Sequence, residues 1–286
     1  MDWLDRMNSV LDYIEEHLGE TIDYEQMASL SLCPGNLFQR MFSNLTGTSL
    51  SEYIRRRRLS QAGMDLSSEN VSVIDTALKF GYESADAFAY AFKRQHGIPP
   101  SQAKIKGVIL THYPRLSFTL KIKGELEMKY KLVEKEGFTV VGKSLKTTQE
   151  ENLKTQSIPR FWDRCNHDGT GERLCAIAPN QPLLGVCYGD EPDGTFRYMI
   201  GTEAKGMVRD FEVLRIPKAT WAVFESVGPM PVSIQKVWNA VFQEFLPTSK
   251  YEHAPIPDFE LYPDEGKDTN QADYRCEVWI PVIAKR

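Results

Sequence analysis

Asn36, Gln39, Arg40 and Ser43 recur at three- and four-residue steps within the stretch Asp23–Gly47, so a helix there lines them up along one side. Amide, guanidinium and hydroxyl groups in such a row are the chemistry that hydrogen-bonds base edges in a DNA groove and the phosphates beside them. A second set differs in kind. Glu277 interrupts the apolar run CEVWIPV, with Trp279 two residues on, and burying such a carboxylate without a partner is costly. Aromatic walls around one carboxylate suit a flat, apolar, cationic small molecule, held by stacking, cation–π attraction and a counter-charge.

The elements that must position the first set are helical. Asp23 with Gln26 forms a capping-box start, Met27, Ala28 and Leu30 give that helix an apolar side, and it stops at Ser31–Leu32–Cys33–Pro34–Gly35. The next helix turns Phe38, Met41 and Phe42 inward, shows Asn36, Gln39, Arg40 and Ser43 outward, and closes at Thr46–Gly47. Helix, sharp turn and a second helix with a polar outer face is the arrangement that enters a major groove, although a single αα-hairpin is a weak signal. Before it, Trp3, Leu4, Met7, Val10, Leu11, Ile14 and Leu18 make an amphipathic helix; after it, Ser49 and Glu52 open a long one with the inner stripe Leu50, Ile54, Leu59, Ala62 and Leu66.

That long helix carries Arg55, Arg56, Arg57 and Arg58 in a row. Four consecutive helical residues point four ways, so one arginine is expected in a structural ion pair and about two toward a phosphate backbone, Arg57 among them. Ser72 with Asp75 then caps another helix, Gly81–Ser84 makes a turn, and ADAFAYAFKRQHG buries Phe88, Ala91 and Phe92. The layout repeats the first unit, down to the equal spacing of Phe42–Gly47 and Phe92–Gly97. Two such units joined by one helix can present outer helices about 34 Å apart, one turn of DNA.

The 286 residues, 42% of them apolar, suffice for two domains with real cores. A net charge of −5 supplies no global basic field, so nucleic-acid contact must be local. No apolar run reaches the length of a membrane span, and the acidic, amphipathic N-terminus does not read as a signal peptide. Five cysteines without CxxC spacing and five scattered histidines argue against a disulfide framework and a zinc site. A reducing, cytoplasmic setting without membrane, metal, cofactor or catalytic residue set follows as the expectation.

Beyond Gly107 the composition leaves helix, and Leu116, Phe118, Leu120 and Ile122 alternate up to Gly124 as a strand or surface-lying linker would. From Met128 the chain reads as strand-rich and internally repeated. Lys131–Ser144 parallels Glu212–Ser226; the helix Ile158–Cys165 around Trp162 parallels Ser233–Pro247 around Trp238; Val186–Gly201 parallels Glu260–Pro281, each a hairpin with an acidic Gly/Pro tip. Two strand–helix–strand–strand halves forming one curved antiparallel sheet, helices on one face, are therefore expected. Alternation puts Val278, Ile280 and Val282 toward the helices and Glu277 with Trp279 on the opposite face. Trp221, Tyr188, Tyr198 and Trp162 join them as the expected walls of a groove.

The motifs FGYESADAFAYAFKRQHGIPPSQAK and QRMFSNLTGTSLSEYIRRRRLSQA resemble the second-unit signature, the first recognition helix and the linker helix of the AraC/XylS transcription regulators, over residues 5 to 106. YGDEPDGTFRYMIG, TWAVFESVGP and PDFELYP…CEVWIPV resemble the GyrI-like effector-binding domain. The resemblance implies an all-α double helix-turn-helix domain over 1–107, a linker over 108–125 and an α+β effector domain over 126–286. It implies base reading by Asn36, Gln39 and Arg40, with Ser84, Ala85, Asp86 and Tyr90 on the matching surface of the second unit. There Ala85 and Asp86 are poor partners for phosphate or base, leaving Lys93, Arg94 and the helix N-terminus to hold the backbone. It implies Glu277 as ligand carboxylate with Glu260 second, and promoter DNA, a small effector and RNA polymerase as partners. A hydrolase with Glu277 as general base and a drug-sequestering protein with a vestigial DNA module stay open as alternatives.

Overall fold

The computed structural model describes residues 3–68, 71–119, 128–191, 194–206, 208–263 and 268–285. Helices begin where side chains cap free backbone N–H groups. Asp23 Oδ1 accepts from the N–H of Glu25 and Gln26 at 2.8 and 3.2 Å ahead of α2 (Tyr24–Ser31). Ser49, Ser72 and Ser84 do the same for α4 (Leu50–Ser68), α5 (Val73–Lys79) and α6 (Ala85–His96) at 3.2, 3.0 and 3.1 Å, each cap contributing about 1 kcal/mol. Gly47 and Gly97, at φ 69° and 78°, terminate α3 (Gly35–Thr46) and α6 in the left-handed conformation that glycine adopts without strain.

Contacts divide the chain into two compact units, one of Met1–Ser31 with Ser49–Leu120, the other of Leu32–Thr48 with Lys121–Arg286. In the first, α1 (Trp3–Glu16) buries Trp3, Met7, Val10, Leu11 and Ile14. Leu59, Ala62 and Leu66 of α4 pack with Ala77 and Phe80 after α5, and with Phe88 and Phe92 of α6. The segment after the 3-10 turn Pro100–Lys104 has no regular structure but lies along this unit. Tyr113 N–H donates to Ser60 Oγ at 3.0 Å, and Asn8 exchanges hydrogen bonds of 2.8 and 3.0 Å with the Phe118 backbone. Leu120, Ile122 and Gly124 of the expected alternation lie outside the described residues, as do parts of both acidic hairpin tips, 192–193 and 264–267.

The second unit is built on one antiparallel sheet of β1 (Tyr130–Lys135), β2 (Phe138–Thr147), β3 (Leu183–Asp190), β4 (Phe196–Glu203), β5 (Glu212–Ile216), β6 (Ala219–Val227), β7 (Tyr251–His253), β8 (Asp258–Tyr262) and β9 (Arg275–Ala284). Its order is β1-β6-β9-β8-β3-β4-β2-β5, with β7 paired to β9. The expected duplication is visible in that order. Strands β2, β4 and β3 mirror β6, β9 and β8, the halves meet at the β3–β8 pair, and each half's leading edge strand has crossed to the other, β1 onto β6 and β5 onto β2.

Helices α7 (Gln149–Thr155), α8 (Ser157–His167) and α9 (Thr170–Ile177) follow β2. Helix α10 (Val232–Ala240) runs on through a π-helical turn, Val241–Phe245, and a last turn, Leu246–Thr248. Phe161, Cys165 and Leu174 of α8 and α9 pack on Leu183, Cys187, Phe196, Tyr198 and Ile200. The other face buries Phe138, Val140, Leu184, Val186, Met199, Trp221, Val223 and Phe259.

Candidate functional site

Strand β8 alternates Asp258, Glu260 and Tyr262 on one face with Phe259 and Leu261 on the other. Glu260 stands opposite Gly185 of β3 and Val278 of β9, which places it on the helical side of the sheet. Its Oε2 accepts from the hydroxyls of Tyr198 at 2.9 Å and Tyr262 at 2.8 Å, and its Oε1 accepts from Trp238 Nε1 of α10 at 2.8 Å. Trp162 of α8 donates through Nε1 to the Tyr198 oxygen at 3.0 Å and meets Tyr262 edge-on at 4.9 Å. The carboxylate thus lies among four aromatic rings, two of them tryptophans from the equivalent helices of the two halves. Burial and the neighbouring Glu260 charge push the Tyr198 and Tyr262 hydroxyls well above their ordinary range, so both remain donors. Among the described residues no lysine, arginine or histidine pairs with Glu260.

Glycine makes room for this arrangement. A Cβ on Gly185 would stand 2.1 Å from the Tyr198 hydroxyl and 3.1 Å from Glu260 Oε2.

The expected groove residues are separated rather than gathered. Trp162, Tyr198 and Glu260 share the helical face. Glu277 lies on the other, where Lys131 Nζ pairs with it at 2.9 Å and Trp279 Nε1 donates to it at 2.8 Å. Glu277 thus has the partner whose expected absence singled it out in the sequence. Trp221 is a core residue of that same face, 4.8 Å from Phe259, which stacks on Trp279 at 5.3 Å. Tyr188 bonds Ser144 at 2.7 Å and also faces away from Tyr198, because β3–β4 pairing sets it across from Arg197 and sets Cys187 across from Tyr198. Tyr262 and Trp238 were not anticipated. The alternation in FELYP and the parallel between Trp162 and Trp238 are the signals that contain them.

The helical residues also differ from expectation. Every residue from Gly35 to Ser43 is buried, including the polar Asn36, Gln39, Arg40 and Ser43. Helix α3 packs within the second unit against α10, β3, α7 and the π-helical turn. Arg40 Nη1 donates to both oxygens of Asp258 at 2.7 and 2.9 Å, and its guanidinium lies 4.2 Å from the centre of the Trp238 ring. Burial pushes the Asp258 carboxyl up, but the Arg40 charge, the His253 ring 3.4 Å away and the hydrogen bonds from Arg40 outweigh it and hold the carboxyl below its usual value. In α6, by contrast, Ser84, Asp86, Tyr90, Lys93 and Arg94 are exposed and Ala85 is half-buried.

Arg57 does not face outward. Its guanidinium meets Glu15 at 2.8 Å and donates to the Tyr113 carbonyl at 2.6 Å, with 4% of the residue exposed. Arg58 donates to the carbonyls of Leu18 and Glu20, while Arg55 and Arg56 both pair with Glu52. The row of four is thus engaged within its own unit.

A helix-turn-helix segment joined to an α+β domain with a carboxylate in an aromatic cage defines a DNA-binding protein that carries a small-molecule domain. Residues 128–283 match the GyrI-like small molecule binding domain, and residues 34–104 match a helix-turn-helix domain. The chain is 38% identical over 95 residues to the transcriptional activator AarP of Providencia stuartii, covering 33% of this chain and 70% of the relative. It is 31% identical over 99 residues to the multiple antibiotic resistance protein MarA of Salmonella typhimurium, covering 35% and 78%, and 32% identical over 95 residues to the regulatory protein SoxS of the same organism, covering 33% and 89%. A solved structure of SAV2435 bound to tetraphenylphosphonium is similar over 55% of this chain and 94% of its own, at 28% identity and a TM-score of 0.49. The chain belongs to the AraC family of transcription regulators, with a C-terminal GyrI-like domain.

Proposed function

We propose that this regulator binds an organic cation bearing aromatic groups in the cage around Glu260, and reads promoter DNA through α3 with α6 holding the backbone. The observation that carries the effector class is Glu260: a carboxylate bonded by three neutral donors, with no cation at ion-pair distance among the described residues, and walled by Trp162, Tyr198, Trp238 and Tyr262. Such a site attracts positive charge by Coulomb force and by ring quadrupoles, both strengthened where water is excluded. A metal ion is a poorer fit, because the walls offer indole and phenol rather than ligating nitrogen, thiolate or further carboxylates.

On this reading the protein senses and does not hydrolyse. Among the described residues the hydrogen bonds to Glu260 come from phenol and indole groups and form no nucleophile–base pair. Asn36, Gln39 and Arg40 are the base-reading candidates; Ser84, Tyr90, Lys93 and Arg94 form the exposed surface that would grip phosphates. Cytoplasmic residence and contact with RNA polymerase complete the reading, by analogy with the activator relatives.

Calorimetric titration with tetraphenylphosphonium tests the site. Glu260→Gln is expected to weaken binding at least about tenfold, a loss of about 1.4 kcal/mol, whereas Glu277→Gln leaves it within about twofold. Equal effects of the two substitutions would remove Glu260 from its role. Turnover of a bound ester or amide that disappears in Glu260→Gln would favour the hydrolase instead.

A further inference from the structure

The face of α3 that suits DNA is the face this fold covers. Asn36, Gln39 and Ser43 are each 4 to 6% exposed and Arg40 is 9% exposed, so none can reach a base while α3 stays where it is. The cover is imperfect. Ser43 Oγ is buried without a hydrogen-bond partner, and a cleft of about 100 Å³, partly open to solvent, lies between Pro34 and Asn36 at the start of α3 and Cys187, His253 and Asp258. A buried hydroxyl without a partner costs stability, which a permanent core avoids and a separable contact tolerates. Arg40 is tied electrostatically: Asp258 presents two anionic oxygens to it, as a phosphate or the acceptor edge of a guanine would.

The same contact touches the effector cage. The Trp238 ring carries the Arg40 guanidinium on its face and donates its indole N–H to Glu260. Asp258 and Glu260 are alternate residues of β8, on one side of one strand. Trp238 is the one of these three donors to Glu260 that also supports Arg40, so a cation seated against the carboxylate presses on the ring that carries the guanidinium.

We propose that α3 is autoinhibited: Asp258 holds Arg40 as a mimic of DNA, and a cation entering the Glu260 cage displaces Trp238 and frees the helix. The inference rests on the effector and DNA-reading roles argued above. It makes ligand and DNA positive partners, since each favours the released helix, and couplings of this type amount to about 5- to 150-fold in affinity.

The test uses the full chain and a duplex selected from a randomised pool by the wild type in the presence of tetraphenylphosphonium. Without ligand, Asp258→Ala is expected to bind that duplex at least tenfold more tightly than wild type, and added tetraphenylphosphonium to change its affinity less than twofold. Trp238→Phe keeps a ring over Arg40 but loses the N–H to Glu260; it should bind tetraphenylphosphonium yet show a reduced ligand effect on DNA. Should Asp258→Ala melt below the assay temperature, Asp258→Asn, of the same shape without the charge, replaces it with the same expectation. A folded Asp258 variant that binds DNA no more tightly than wild type overturns the autoinhibition. If Glu260→Gln binds tetraphenylphosphonium normally while Asp258→Ala still gains DNA affinity, the effector reading falls and the autoinhibitory contact stands.

Discussion

Glu260 and Glu277 are alike in type and each accepts from a tryptophan, yet their surroundings assign them different tasks. Lys131 already balances Glu277, so a cationic ligand there would have to displace a lysine; Glu260 holds only neutral donors. The contrast was half legible in sequence. Alternation in CEVWIPV correctly sets Glu277 and Trp279 opposite Val278, but which residue faces Val278 across the strands depends on β8–β9 register, and one strand's pattern does not carry that. Arg57 teaches the same lesson. Its row of neighbours announces charge, while its partner Glu15 comes from a separate helix. Arg57→Ala should therefore destabilise the protein by about 2 kcal/mol in denaturant unfolding, by stranding the half-buried Glu15 with Tyr53 as its remaining donor. In folded variant protein, the dependence of log K on log salt for DNA should keep its slope; a drop of about 0.9 would mean that Arg57 contacts a phosphate after all.

Elements were read more securely where chemistry is local. The serine caps of α4 and α5 and the glycine ends of α3 and α6 stand where their types require, because a cap needs only neighbours three or four residues away. The sheet's duplication was visible in repeated segments, but the exchange of edge strands was not, since pairing partners lie 70 or more residues apart. Nor does anything in residues 36–43 announce Asp258, which lies 218 positions from Arg40. Gly185 is a signal that strand β3 offers and periodicity overlooks: glycine inside a buried strand marks close approach. Gly185→Ala should push the Tyr198 hydroxyl off Glu260 and weaken tetraphenylphosphonium binding about tenfold by calorimetry, with the sheet intact by circular dichroism. Unchanged affinity would show that the ligand does not depend on that hydroxyl's position.

At the scale of the whole molecule, the account joins two binding activities through one helix. On the proposed reading the polar face of α3 serves DNA in one arrangement and Asp258 in the other, and a single side chain cannot satisfy both. The exposed surface of α6, with Lys93 and Arg94 but also Asp86, offers retention without much discrimination, so sequence preference should rise and fall with the release of α3. Linkage then fixes a quantitative relation, because the factor by which ligand tightens DNA binding must equal the factor by which DNA tightens ligand binding. The most direct measurement is a calorimetric titration of tetraphenylphosphonium into the full chain, alone and saturated with its selected duplex. The account predicts tighter ligand binding on DNA, by the same factor of about 5 to 150 that ligand confers on the duplex affinity. Identical ligand affinity with and without DNA would contradict it.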